Sequence, residues 1–435
     1  MKILIISRTT WDDSNSFGNT FSNIFGKMSD VEIYNISCRN GISNNSVTSN
    51  ELQMTDKSVL KSILNPFYDP CWRPGKSQNN QSVNSVISSN AIKRRRTISF
   101  VIRDLIWKLG GWKRSKALKS FLAEYKPDVV YLPIYSSSYM CDVQRYIVNQ
   151  LGVPVVGHIS DDVYNIPPNL PFFARIYRKH TQKKVAKIIS SCEYLEVFAQ
   201  NMADEYSKIF NIPCYVIGKG VTQEEIDSIP LYQPQNNGVL KIIYTGNISA
   251  ERYSVLYMLG QAIDRDFKGR ATVDVYTQTF LSDEMQAGFD SINAINLKGA
   301  VSSDRVRQIQ KEADLLLHIE GFSKKSLFEV RMSFSTKLID YMLTGVPILA
   351  IGPSAANSML VLESNRLATV ITDPENMSDG LKAIFDDFDS SNQNRENIIV
   401  YLQETRLISV IQSGIYNRLI SLSDSHNKQF KEVIL

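Results

Sequence analysis

The densest run of residue types suited to handling a phosphate ester is SFSTKLIDYMLTGVPILAIGP, from Ser333 to Pro353. A Ser/Thr-rich loop leads into a helix expected from about Thr336 to Leu343, with Ser335 or Thr336 as its N-cap and Gly345 just past its end. The start of such a helix presents unpaired backbone N–H groups and Lys337 adds a full charge, so a nucleotide diphosphate is a fitting ligand. Asp340 follows one turn later, where a carboxylate would accept hydrogen bonds from ribose hydroxyls. The same spacing also describes an ordinary capped helix with Lys337 and Asp340 as a surface i,i+3 pair.

A second group closes the run VPVVGHISDDVYN. His158, one of four histidines in the chain, falls at the C-terminal end of an expected strand, where open α/β sheets carry their active-site groups, and Asp161 and Asp162 follow it. These three are either substrate-facing groups or a strand-end histidine beside solvated carboxylates. A metal held by them fits the pattern less well, and neither an essential metal nor a cofactor is expected. A third feature is electrostatic: residues 91–126 hold eleven Lys and Arg against Asp104 and Glu124, an excess of nine, more than the net +4 of the whole chain. Ile98, Val101, Ile102, Leu105 and Leu109 recur there at helical spacing, with Trp107 and Trp112 flanking Gly110 and Gly111. The segment reads as an amphipathic element for an anionic membrane surface or as a core-packed helix with a solvated basic face. No nucleic-acid-binding module accompanies the charge.

These groups need a frame. A chain of 435 residues with ordinary apolar and charged fractions is too long for one core, so two domains are expected. MKILIIS at the start is a short apolar run opening into polar, Gly-containing sequence, as expected of a buried parallel strand. Further strands are expected at Val31–Ile36, Val129–Leu132, Val153–Gly157, Ala186–Ser190 and Cys214–Ile217, alternating with helical patterns. The Ser- and Asn-rich stretch Asn40–Asn90 reads mostly as an inserted mobile loop. Polar residues around Leu231–Gly238 mark a domain boundary. A second series of strands follows at Leu240–Tyr244, Thr272–Tyr276, Ile295–Leu297, Asp314–His318, Pro347–Ile351 and Ala368–Ile371. The expected organisation is a 1–230 acceptor-side domain with an insertion at about 40–90, a 238–395 donor domain, and helices over 396–435 packing back toward the first domain. The fold class is α/β, two tandem Rossmann-like domains facing across a cleft, which places the C-terminal ends of both sheets at one crevice.

The second half resembles the GT-B sugar transferases, particularly glycosyltransferase family 4, in which a Lys precedes an acidic-aromatic pair and a Gly-x-Pro turn; here these are Lys337, Asp340, Tyr341, Gly345 and Pro347. IIYTGNISAERYSVLYML resembles that family's strand, Gly-Asn loop and helix, so the resemblance implies donor-phosphate contacts for Gly246, Asn247 and Arg252. VDVYTQ resembles the strand whose following loop, at Thr277, contacts the base. LKGAVSSDRVRQIQKEADLLLHIEGF resembles the next strand, turn, helix and strand, with Glu320, Gly321 and Phe322 near the sugar. In the first half, His158 matches a residue that contacts the transferred sugar, and the loop SNSFGNT, with Gly18, matches one that approaches donor and acceptor. Many family members carry a second glutamate eight residues before the ribose-binding acid. Met332 stands there, so the backbone near Ser333–Thr336, Glu320 or Glu329 is left to do that work.

The resemblance implies a glycosyltransferase taking a sugar from a nucleotide-diphosphate sugar to a lipid-linked or growing surface glycan of capsule or O-antigen type, with retention. Lys337, Arg252 and the helix start would stabilise the leaving diphosphate; if the reaction inverts instead, Asp161 or Asp162 is the candidate base. A nucleotide-sugar epimerase or hydrolase of the same architecture, and a noncatalytic partner subunit, are the alternatives. No GxGxxG follows the first strand and no GxxxxGK[ST] exists, which disfavours a dinucleotide oxidoreductase and a P-loop kinase. Five cysteines without CxxC pairs fit a reducing cytoplasm. Ile3–Ile6 is followed at once by Arg8, Asp12 and Asp13, so no signal core is expected, and membrane contact would be peripheral, at the inner face.

Overall fold

The structure is a computed structural model describing residues 1–74, 92–233, 238–386 and 393–434; side chains of 92–96, 303–304, 393 and 427–434 also lie outside the description. The chain forms two compact units, Met1–Ile217 with Ile408–Leu435, and Gly218–Leu407.

The first unit is built on β1 (Lys2–Ser7), β2 (Glu32–Ser37), β3 (Thr48–Met54), β4 (Cys71–Trp72), β5 (Val129–Pro133), β6 (Val155–Ile159), β7 (Tyr194–Val197) and β8 (Cys214–Val216), in the sheet order β4-β3-β2-β1-β5-β6-β7-β8. All pairs are parallel except β3 with β4. Helices cover the sheet, so β1, β5 and β6 are apolar runs with almost no exposed position. The second unit is built on β9 (Leu240–Thr245), β10 (Ala271–Tyr276), β11 (Ile295–Gly299), β12 (Leu315–Ile319), β13 (Ile348–Ile351) and β14 (Thr369–Ile371). Its order is β11-β10-β9-β12-β13-β14, parallel throughout. Strand alternation splits its core into two layers. Ile242 and Tyr244 enter one with Val255, Leu256 and Leu259, while Ile243 enters the other with Leu316, Leu338 and Tyr341.

Four expectations change. Ala186–Ser190 is not a strand but the end of the helix Phe172–Ile189, in which Thr181, Val185, Ile188 and Ile189 are buried at helical spacing; the strand is β7. The described part of the Asn40–Asn90 stretch is not one loop but includes two strands and a helix. Residues 48–54 extend the sheet as β3, Leu52 and Met54 are fully buried, and the helix Asp56–Leu64 follows with a Thr55/Ser58 capping box. Residues 75–90 of that stretch lie outside the described residues. The units divide after Ile217, not near Leu231–Gly238, because Val221, Ile226, Ile229 and Tyr232 pack into the core of the second unit; Pro234, Asn236 and Asn237 lie outside the description. Finally, the C-terminal stretch is two helices with different attachments. Gln393–Thr405 belongs to the second unit. Ile408–Ile434 belongs to the first, where Ile415 and Leu419 are buried with Ile3, Ile5, Phe21 and Phe25. All five cysteines are free thiols.

Candidate functional site

In the second unit the chain moves outward from β9 through β10 to β11, then returns to the other side of β9 with β12. The C-terminal ends of β9 and β12 therefore diverge into a crevice, the place where open parallel sheets bind ligands. A cavity of about 210 Å³ opens there, lined by Gly246 and Asn247 after β9, by His318, Ile319 and Glu320 at the end of β12, and by Arg252, Ser335 and Lys337.

Each group is held by its element. Lys337 opens the helix Lys337–Met342, and its Nζ donates to the Thr245 carbonyl at 3.0 Å while lying 5.1 Å from the centre of the Tyr244 ring. Tyr341, on the same helix, sets its hydroxyl 3.1 Å from Thr245 Oγ1, which also accepts from Gln310 Nε2, so the helix is tied to the tip of β9. Gly246 leaves room for the ammonium: a Cβ at that position would stand 2.2 Å from Lys337 Nζ, and its φ of +144° is one that side chains disfavour. Gly345, as expected just past the helix, has φ +73° and leaves no room for a side chain against the Pro230 carbonyl. Thr336 precedes the helix in αR backbone with no side-chain capping bond, and the helix has only six residues. Its dipole is correspondingly small. The positive potential therefore rests chiefly on Lys337 and Arg252.

Arg252 opens the helix Arg252–Asp266, and its Nε and Nη2 converge on Glu320 Oε2 at 3.0 and 2.8 Å, with Nε also 3.2 Å from the Ile319 carbonyl. Glu320 is 4% exposed. Its burial raises the carboxyl pKa and the Arg252 charge partly offsets this. Burial, reinforced by Arg252, pushes Lys337 down to about 8, against the pull of Glu320. His318 was missed by sequence reasoning, although it stands two residues before Glu320 and so shares its side of the strand. It is 4% exposed, burial pushes it down to about 3, and its Nε2 has no hydrogen-bond partner, lying 3.7 Å from Glu320 Oε1. A neutral imidazole with an unmet buried nitrogen on a cavity wall is suited to a ligand hydroxyl or phosphate oxygen.

Of the other expected residues, Asn247 shares this lining and the rest stand outside it. Asp340 is held by Lys219 Nζ at 2.5 Å. Asn247 Oδ1 accepts from Ser249 N and Thr279 Oγ1, and Thr277 joins that chain through Thr279. Gly321 packs against Ala250 and Ser326, Phe322 packs on the core, and Thr336 flanks the lining residues Ser335 and Lys337. Of the two candidate substitutes for the acid missing at Met332, Glu320 lines the cavity and Glu329 is exposed elsewhere; Met332 itself is 1% exposed.

In the first unit His158 stands at the C-terminal end of β6, one residue before its last, yet it is 2% exposed, between the rings of Phe21 and Phe198, and burial pushes it down to about 3. Its Nδ1 lies 3.3 Å from Tyr131 Oη and its Nε2 3.0 Å from Ser160 Oγ. Tyr131 in turn donates to Glu196 Oε2 at 2.6 Å. Asp162 Oδ1 accepts from Tyr164 N, Asn165 N and Tyr206 Oη, which fixes the turn after β6, and Asp161 is exposed. Gly18 is buried in the first turn of the helix Ser16–Phe25, its N–H donating to Asn15 Oδ1 at 2.9 Å. Among the described residues no three His, Cys, Asp or Glu side chains are grouped to hold a metal ion.

Solved structures with the same architecture span almost the whole chain. Anabaena Alr3699/HepE in complex with UDP matches at TM-score 0.63 and 11% identity, covering 97% of this chain and 100% of that one. The α,α-trehalose 6-phosphate synthase of Burkholderia multivorans matches at TM-score 0.63 and 8% identity over 98% and 99% of the two chains. The sucrose-phosphate synthase of Thermosynechococcus elongatus matches at 0.62 and 9% over 97% and 99%. The fold is GT-B. These structures do not single out family 4 within it. No family model and no curated protein sequence matches the chain.

Proposed function

We propose that the chain is a glycosyltransferase that takes a sugar from a nucleotide-diphosphate sugar. The observation that carries this reading is the pair of cations, Arg252 and Lys337, set beside a Gly-Asn loop at the switch point of the second sheet. Structures of like fold were solved with UDP, and one with UDP-glucose, which makes uridine the first base to test.

In the reaction the bond from the anomeric carbon to the diphosphate oxygen breaks and its electron pair stays on the phosphate. Arg252 and Lys337 stabilise that charge, with no resident metal ion required. The acceptor hydroxyl oxygen bonds to the anomeric carbon, and in a retaining course its proton passes to the leaving phosphate oxygen. Asp340, steadied by Lys219, serves the ribose, and the Asn247–Thr279–Thr277 chain shapes the base side. Glu320 and His318 meet the sugar in place of the acid absent at Met332. The family 4 motif supports retention and a lipid-linked or growing surface glycan of capsule or O-antigen type as acceptor. His158 acts from inside the first unit, so Asp161, which is exposed, is the better placed base if the reaction inverts.

A thermal-shift panel of UDP, GDP, ADP and dTDP sugars tests the reading. One base series should raise the melting temperature, and the matching sugar should then be released or transferred in an acceptor screen. A chain whose melting is untouched by every nucleotide would not be a transferase of this kind.

A further inference from the structure

The proposed transfer makes no use of a surface that two adjoining helices of the first unit leave open. On the helix Ile92–Leu109, the residues Ile98, Val101, Ile102, Leu105 and Leu109 form one stripe at helical spacing, and each is 50 to 59% exposed. The inward face is a different set. Trp107 is 1% exposed and donates to Asp56 Oδ1 at 2.6 Å, Trp112 is buried, and Arg103 lies over the rings of Phe100 and Tyr139. The tryptophans that flank Gly110 and Gly111 therefore belong to the interior. The second helix, Phe172–Ile189, is joined to the first by the stacked Phe100 and Tyr177 rings and by Tyr177 Oη donating to Asp104 Oδ2 at 2.8 Å. It opens with Phe172 and Phe173, each 73% exposed, and Ile176, 52% exposed. Large apolar side chains clustered on each of two joined helices, in place of the scattered single ones normal to a surface, mark a contact site.

Charge says what kind of contact. The helix Phe172–Ile189 has no Asp or Glu, and its Arg175, Lys179, Lys183 and Lys187 are exposed. The helix Ile92–Leu109 has one acid, Asp104, and that carboxylate is engaged by Tyr177 and by the Tyr139 N–H. Its sequence begins with Lys93, Arg94, Arg95 and Arg96, whose side chains lie outside the description. An apolar ridge whose own helices carry many lysines and arginines against one engaged acid, Asp104, with Asp142 paired to Lys184, matches the boundary of an anionic bilayer, where acyl chains receive the apolar groups and headgroup phosphates meet the lysines and arginines. A nucleic acid would satisfy the charge and leave Phe172 and Phe173 in water. We propose that this two-helix face docks the protein on an anionic lipid surface. Neither helix is long and apolar enough to cross a membrane, so the contact is peripheral. The proposal stands independently of the donor-site reading.

Cosedimentation of the full chain with vesicles decides it. With phosphatidylglycerol in phosphatidylcholine the parent should pellet, with phosphatidylcholine alone it should stay in solution, and added salt should release it. Phe172→Ser with Phe173→Ser, and separately Lys179→Gln with Lys183→Gln, should each reduce partitioning about tenfold or more. These sites are exposed, so melting curves and UDP binding should match the parent. A parent that stays in solution with both vesicle types, as it would if the face served a protein, overturns the proposal. So does equal pelleting of folded variants and parent. Should a variant fail to fold, the lipid and salt dependence of the parent alone decides.

Discussion

A buried ammonium is a cost until a ligand shares its charge, and Lys337 is in that position. Its pKa in the folded chain is about 8, against 10.5 for the free side chain. Between those values the unfolded chain holds the proton and the folded chain does not, so stability from this group rises with pH across that window; below about 8 the native state carries an unfavourable charge. Lys337→Met keeps an unbranched apolar side chain and removes the charge that lies over the Tyr244 ring. Its melting temperature at pH 7 should equal or exceed the parent's, while affinity for UDP falls about 10- to 100-fold, as expected for one charge-assisted phosphate contact. Parental affinity should also weaken above about pH 8, where the free site has lost its proton. Calorimetry of both proteins across this range is the check, and a variant that binds like the parent would refute the assignment. Lys337, Arg252, Gly246 and Asn247 line one cavity; what singled them out in the sequence was the resemblance to GT-B donor motifs, since spacing alone reads Lys337 and Asp340 equally well as a surface pair on a capped helix. His318 was not singled out. A histidine inside LLLHIE reads as one more buried strand residue, and only the unmet Nε2 distinguishes it.

Elements were legible where their period was clean. The apolar runs of β1, β5, β9, β12 and β13 lie within a residue or two of their expected bounds, since a strand buried on both faces has no other pattern. AKIIS, the expected strand Ala186–Ser190, failed because a short apolar run at a helix end looks like a strand, and the preceding helix is polar enough to hide its buried stripe. β3 failed for the opposite reason: TSNELQM has few apolar residues, and its place comes from pairing with β2. The C-terminal helix Ile408–Ile434 also shows how an element can be fixed by charge. Arg418 Nη2 donates to Glu196 Oε1 at 2.7 Å, and Glu196 is fully buried on β7. Arg418→Met should cost about 3–5 kcal/mol by leaving that carboxylate unpaired. In the variant the carboxyl pKa rises further above its unfolded value. The stability lost is then smaller at pH 5 than at pH 7, because the folded chain takes up the proton first. Denaturant unfolding at the two pH values tests this, and a deficit independent of pH would point to lost packing alone.

At the scale of the molecule, both sheets follow one plan, a chain that steps outward from a central strand and returns to that strand's other side. The boundary between the units escaped the sequence because polar, Pro- and Gly-containing stretches mark surface loops of any kind, whereas the true division follows directly on β8. The residues Gly218–Tyr232 then pack beneath the helix Lys337–Met342, with Lys219 bonded to Asp340. This segment, assigned to the acceptor side from its position in the chain, thus supports the candidate site. The consequence is measurable by hydrogen exchange. UDP at about a hundred times its dissociation constant stabilises a bound unit by about 2.7 kcal/mol. That protection should show at the tips of β9 and β12, from Tyr244 to Asn247 and from His318 to Glu320, and should extend to Val221–Ile229, which pack with Leu338, Ile339 and Tyr341 of the helix that carries Lys337. The amides of β1 and β6, in the other unit, should keep their free-state rates. Protection gained at β1 and β6 with none at β9 would move the nucleotide site to the first unit, and the cationic pair at Arg252 and Lys337 would then need another ligand.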